Sequence, residues 1–255
     1  MSLAHVDVLF FEVCGTVVDW QSTITSELKS TMKGAPHEDA KVQAQLLNHD
    51  WNAFARRWHD ERRTQLEANP QLDTDQVSRS ILESLIESTP HLSEAWRDDF
   101  VLTNLSFIWH QLHPYPDSHS GLLELRRQFK VGTLTREGRG GMALNVNLAK
   151  YADLSWDFVL ATDVLNEGEG DQYLVRAMEV LGIDDPKGQG ARRAALVSSR
   201  LSILEGAKRR GMSTVFVRRE TGDPLPEKEG RPAYVDVVVD GLEELAQVAG
   251  GLPMA

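Results

Sequence analysis

The sequence predicts an α/β protein: a Rossmann-like core with a parallel sheet, plus an inserted all-helical subdomain. Three observations carry this. Short apolar runs recur at wide spacing, segments of helical period separate the later runs, and a long stretch with no convincing strand divides the first run from the second.

The first run, VDVLFFEV (6–13), is almost continuously apolar, as a strand buried on both faces must be. The later runs KVGTLT (130–135), DFVLATDV (157–164), AALVSS (194–199), STVFVR (213–218) and YVDVVVD (234–240) have the same character. Between them lie SGLLELRRQF, MALNVNLAKYA, QYLVRAMEVLG and LSILEGAKRRG; the last two end in glycine, as helices often do. The segments STITSELKSTM, DAKVQAQLLNHDWNAFARRWHDERRTQLE, TDQVSRSILESLIES and LSEAWRDDFVLTNLSFIWHQL read as the helices of the insertion. The expected division is a core of residues 1–20 and 112–255 and a helical lid of residues 21–111. The segment HPYPDSHSG returns the chain to the core, stiffened by its two prolines. RRETGDPLPEKEGRPA (218–233) reads as a loop between the last two strands.

Composition narrows the partners. The 27 basic residues against 38 acidic give a net charge of −11, a field that repels nucleic acid and anionic membranes but leaves room for a small-molecule substrate. No apolar run has the length of a membrane span, and the N-terminus lacks the pattern of a signal peptide. The single cysteine, Cys14, cannot form an intrachain disulfide, so the expected location is cytoplasmic.

FFEVCGTVVDW (10–20), LHPYPDSHSGLLEL (112–125), LAKYADLSWDFVLATDV (148–164), GMSTVFVRR (211–219) and VDVVVDGLEELA (235–246) occur in an order and spacing that resemble the haloacid dehalogenase (HAD) superfamily, in particular its 2-haloacid dehalogenase branch. The resemblance covers nearly the whole chain. It implies four stations around a crevice at the C-terminal ends of the strands: an aspartate nucleophile that forms an ester, a Ser or Thr, a lysine, and late acidic or polar residues. It also implies that a homodimer is a natural assembly.

At those stations this chain departs from the pattern. Glu12 stands for the nucleophile, and the extra methylene shifts its carboxylate by about 1.5 Å, enough to spoil an in-line attack. Thr135 keeps the hydroxyl, but Arg136 replaces the usual Asn beside it. The REGRGG loop that follows looks longer than the family's. The lysine position falls on Glu167, and Ser202 and Ile203 stand where late acids are usual. Phosphatase chemistry loses its charge clamp and its Mg²⁺ ligands, so the expectation is no metal and no cofactor.

Each candidate residue carries two readings. Glu12 is either the acid/base group or a structural acceptor for the backbone N–H groups of the turn. Cys14 is either a wall of the site or small apolar filler, and Thr16 contacts substrate or forms the turn. Arg136, Ser198, Ser199 and Arg200 make a cationic, hydroxyl-lined anion pocket. Their alternative is a solvated loop. His59, on the long lid helix, looks toward the pocket or is packed away, and the arginines Arg56, Arg57, Arg62 and Arg63 read as a solvated face. The leading expectation is a repurposed enzyme in a biosynthetic pathway. It would perform metal-free acid/base chemistry of isomerase, cyclase, lyase or decarboxylase type on a small anionic metabolite. Glu12 and Thr135 would be its catalytic groups. The alternatives are hydrolytic 2-haloacid dehalogenation through Glu12 and a non-catalytic scaffold that keeps the fold.

Overall fold

Strand β1 (Val8–Phe11) lies in the middle of a six-stranded sheet whose pairings are all parallel. The computed structural model describes residues 3–34, 37–96, 98–165, 170–225 and 230–250. A two-residue strand, β2 (Val18–Asp19), ends the first segment of the core. Six helices follow among the described residues: α1 (Trp20–Gly34), α2 (Ala40–Leu47), α3 (Trp51–Ala68), α4 (Thr74–Glu87), α5 (Pro90–Ala95) and α6 (Asp99–Ser106), then a 3₁₀ turn at Phe107–His110. β3 (His113–Pro114) runs antiparallel to β2, pairing Val18 with Pro114 and Asp19 with His113. The insertion therefore leaves and re-enters the core at one point.

The rest of the chain alternates as the sequence predicts. It runs α7 (Ser118–Leu125), β4 (Lys130–Thr135), α8 (Gly141–Tyr151), β5 (Phe158–Ala161), α9 (Gln172–Val180), β6 (Ala194–Ser198), α10 (Leu201–Arg209), β7 (Ser213–Val217), β8 (Val237–Val239) and α11 (Leu242–Ala249). The strand order is β5-β4-β1-β6-β7-β8, a doubly wound α/β sheet with its switch of direction at β1.

Alternation along β1 sends its side chains to two cores. Leu9 and Phe11 join Leu122, Leu125, Leu144, Leu148, Leu242 and Leu245 of α7, α8 and α11. Val8 and Phe10 join Leu174, Met178, Leu204 and Ala207 of α9 and α10 on the other face. The first of these cores does not stop at the sheet. It continues through Val17, Trp20 and Ile24 to Trp51, Trp58, Ile81, Leu85 and Trp109, the interior of the inserted helices.

Two helices read as continuous in the sequence are broken. Residues 39–67 form α2 and α3, because Asp50 caps a new helix by accepting the Ala53 N–H at 2.9 Å. In residues 92–112, Asp98 does the same for α6 through Phe100 N–H at 2.8 Å.

Trp58 is the keystone of the inserted helices. It is fully buried, its Nε1 donates to Ser78 O at 2.9 Å, and its ring meets Trp109 edge-on, with centroids 5.4 Å apart. Replacing it with alanine leaves a ring-sized void and removes the indole bond to Ser78 O. Trp58→Ala should cost about 3–5 kcal/mol in urea unfolding, a loss below about 1 kcal/mol ruling out this packing role.

Candidate functional site

Glu12 follows β1 directly, and its N–H donates to Val197 O of β6 at 3.1 Å, so it sits at the carboxyl edge of the sheet. It is buried. Both of its oxygens are held from the end of β6: the Ser198 hydroxyl donates to Oε2, and the Arg200 guanidinium pairs with Oε1. Ser198 is itself positioned by the Arg200 N–H, which donates to its Oγ at 2.9 Å. Burial works against the charge on Arg200, but Glu12 at contact overcomes it, helped by Glu67 and Glu137, and holds the guanidinium pKa above its ordinary value. A second carboxylate, Glu67 in the last turns of α3, accepts from Arg200 Nη1 at 3.0 Å.

The turn after Glu12 needs Gly15, whose φ is +79°. It delivers Thr16 to Ser199: the Ser199 N–H donates to Thr16 Oγ1 at 2.9 Å, and Ser199 Oγ donates to Gly15 O at 3.0 Å. These bonds fasten the β1 turn to the end of β6.

The wall opposite comes from α3 and the loop after β4. Arg62 is only 4% exposed. Its guanidinium donates to Ser78 Oγ at 2.9 Å and Thr74 Oγ1 at 2.5 Å, lies 4.6 Å from the Trp109 ring and pairs with Glu137 at 2.7 Å. The backbone of the same loop is sewn to the insertion, since Arg139 N–H donates to Leu72 O and Thr74 N–H to Arg139 O, both at 2.9 Å. Gly138 makes this approach possible: its φ is +73°, and a Cβ there would stand 2.7 Å from Leu72 O.

His59, also on α3, stacks on Trp20 with a centroid separation of 3.9 Å and an interplanar angle of 5°. Its Nδ1 meets Asp60 Oδ1 at 3.0 Å. Burial lowers its pKa against the pull of Asp60, so the ring is neutral at neutral pH. Together with Cys14, Arg63, Leu66, Arg136, Ser199, Thr221 and Asp223, these groups enclose a cavity of about 30 Å³, room for a water molecule or two. Among the described residues no three His, Cys, Asp or Glu side chains converge as a metal site.

This architecture has solved counterparts. An L-2-haloacid dehalogenase superposes with a TM-score of 0.74 at 22% identity, covering 95% of this chain and 98% of that one. A defluorinating L-2-haloacid dehalogenase gives 0.74 at 25% identity, covering 94% of each chain. The enzyme from Xanthobacter autotrophicus with chloropropionic acid covalently bound gives 0.70 at 20% identity, covering 97% and 100%. The chain has the HAD-like fold of the 2-haloacid dehalogenases. No protein-family model matches the sequence. No curated protein matches it significantly.

Within the dehalogenase fold, the structure brings Glu12, Ser199, Arg200, Arg136, Cys14 and His59 around one cavity, while Ser198 stands outside the lining and reaches the site through its bond to Glu12. Arg200 does not point free into it, because both of its Nη atoms are taken by carboxylates. Thr16 and Thr135 stand outside the lining. Thr16 is spent on Ser199, and the Thr135 hydroxyl accepts from Asn145 Nδ2 of α8 at 2.7 Å. Arg136 stacks its guanidinium 5.5 Å from the Tyr173 ring. Glu167 lies outside the described residues.

Arg62 does not belong to the solvated face read from the sequence. Trp51, Phe54, Trp58, Arg62 and Leu66 follow one another at spacings of three and four, so Arg62 falls on the buried stripe of α3. That spacing was the available signal. Glu137 was missed because REGRGG reads as a loop of arginines, and nothing local announces a buried partner.

Burial, reinforced by Glu137, raises the Cys14 thiol pKa far above its ordinary value. The thiolate fraction at any ordinary pH is therefore lower than that of a free cysteine. Reaction with Ellman's reagent should be more than about tenfold slower than in the urea-unfolded chain, and should still rise with pH beyond the usual thiol range. A plateau near pH 8–9, the ordinary thiol range, would contradict a raised thiol pKa.

Proposed function

We propose that this chain is an enzyme whose inserted helices act as a lid over the Glu12 cavity, and that it performs side-chain acid/base chemistry on a small anionic organic molecule. One observation carries the reading: the carboxylate at the nucleophile's place is a glutamate held by Arg200 and Ser198 from the end of β6. A carboxylate oxygen has about two lone-pair sites, so one bond to each oxygen leaves Glu12 able to accept a proton. Its longer side chain and its two tethers work against the in-line attack an aspartate would make. Where late acids stand in metal-dependent relatives, this chain has Ser202 and Ile203, so proton transfer is assigned to side chains.

In this mechanism Glu12 takes or returns the proton. Arg200 and Arg136 hold the anionic substrate and stabilise negative charge developing on it. Cys14, Ser199 and His59 shape the walls. Isomerisation, cyclisation, elimination and decarboxylation are the reaction types that need only these parts. The same reading places the protein in the cytoplasm, in a biosynthetic sequence, working as a homodimer and without nucleic-acid partners.

A second reading is favoured by a different feature. Arg200 sets a cation against the carboxylate, and a cation there can support an ester-forming nucleophile. Slow hydrolytic dehalogenation through a Glu12 ester follows from that, and intact-mass measurement of protein incubated with 2-chloropropionate would reveal the adduct.

Halide release from a panel of 2-haloacids separates the two. The acid/base reading expects none from the wild type, from Glu12→Gln or from Glu12→Asp. Release by the wild type that vanishes in Glu12→Gln would sink it in favour of hydrolysis.

A further inference from the structure

Arg200 makes fewer bonds than its position demands. Its side chain is only 16% exposed, yet Nη1 and Nη2 each meet a single carboxylate, and Nε–H is buried with no partner. A buried donor left unmade is costly, so such a group marks a place where an acceptor belongs.

Its two partners differ in kind. Glu12 is buried and rooted in the core. Glu67 comes from the end of α3, and half of its side chain faces solvent. An ion pair with one exposed partner is worth a factor of about two to five and is readily exchanged. Of the other acids at the cavity, Glu137 is bound to buried Arg62 and cannot leave without stranding it, and Asp223 is held by the Leu201 N–H, which donates to it at 2.7 Å. The cavity of about 30 Å³ cannot admit an organic molecule unless some group gives way. Glu67 stands just outside the lining, on Arg200, and is the partner of that guanidinium that can be exchanged at least cost.

We propose that Glu67 occupies the seat of a substrate carboxylate on Arg200, and that a small monocarboxylate displaces it when it binds. A carboxylate entering there replaces Glu67 on Nη1 with the same chemistry, and the unused Nε–H awaits a further oxygen of the ligand. Displacement also cuts the only direct ion pair, among the described residues, between Arg200 and the inserted helices. Glu67 is thus an internal competitor, filling the charge seat while the site is empty. The proposal rests on the anionic-substrate reading above and names its substrate class.

Calorimetric titration with sodium propionate at constant ionic strength tests it, on the wild type, Glu67→Gln and Arg200→Lys. With the competitor removed, Glu67→Gln should bind propionate about two- to fivefold more tightly than the wild type. Arg200→Lys keeps the charge but loses the planar fork, and should bind several-fold more weakly. Equal or weaker binding by Glu67→Gln than by the wild type, with binding still dependent on Arg200, would overturn the competitor role while leaving the anionic-substrate reading intact. No binding by either the wild type or Glu67→Gln would remove both. The exposed Glu67 site keeps the decisive comparison usable should Arg200→Lys fail to fold.

Discussion

A carboxylate at the end of a buried strand has to be neutralised where it stands, because an isolated ionised group away from water costs far more than the margin by which a domain is stable. In this molecule the burden falls on two side chains of one short segment, Ser198 and Arg200, and much of the site's geometry follows. Arg200 must be drawn inward to reach Glu12. Once inward it can reach α3 as well, and Glu67 meets it there. The charge that makes the site possible is also a link between the two parts of the chain.

That link is one of three kinds. Arg62 and Glu137 form a second, more buried pair across the same boundary. Backbone bonds join Leu72 and Thr74 to Arg139, and one apolar core passes without interruption from the sheet into the inserted helices. Buried pairs of this sort add little net stability against an apolar replacement, but a mispaired arrangement is severely penalised. Their effect is to select one docking of the helices over others that apolar contact alone would allow.

The core was legible because its strands are short, apolar and separated by helical segments, a pattern that few arrangements other than a parallel sheet satisfy. Glu12 was legible as a departure from expectation, since its neighbours Phe11, Gly15 and Thr16 kept their places. The breaks at Asp50 and Asp98 were hidden, because a capping aspartate within an otherwise helical composition looks like any surface acid. Thr135 was read as a site residue from its place after a strand, but a hydroxyl at a strand end can turn either way, and Asn145 of α8 claimed it. Pairings such as Arg62 with Glu137 join residues far apart in the chain, and no local pattern encodes them.

The central position of β1 bears on how the chain is made. Its register sets Val8 beside Lys130 on one side and Ala194 on the other. As the polypeptide leaves the ribosome, VLFF emerges before either of its neighbours in the sheet. The helices of α1–α6 rely on nearer contacts and can gather while β1 still lacks its partners. An unpaired apolar strand held in waiting is prone to stick to its own kind. In a nascent chain of this topology β1 waits unpaired until β4 and β6 emerge, and the net negative charge, by mutual repulsion, lessens the hazard.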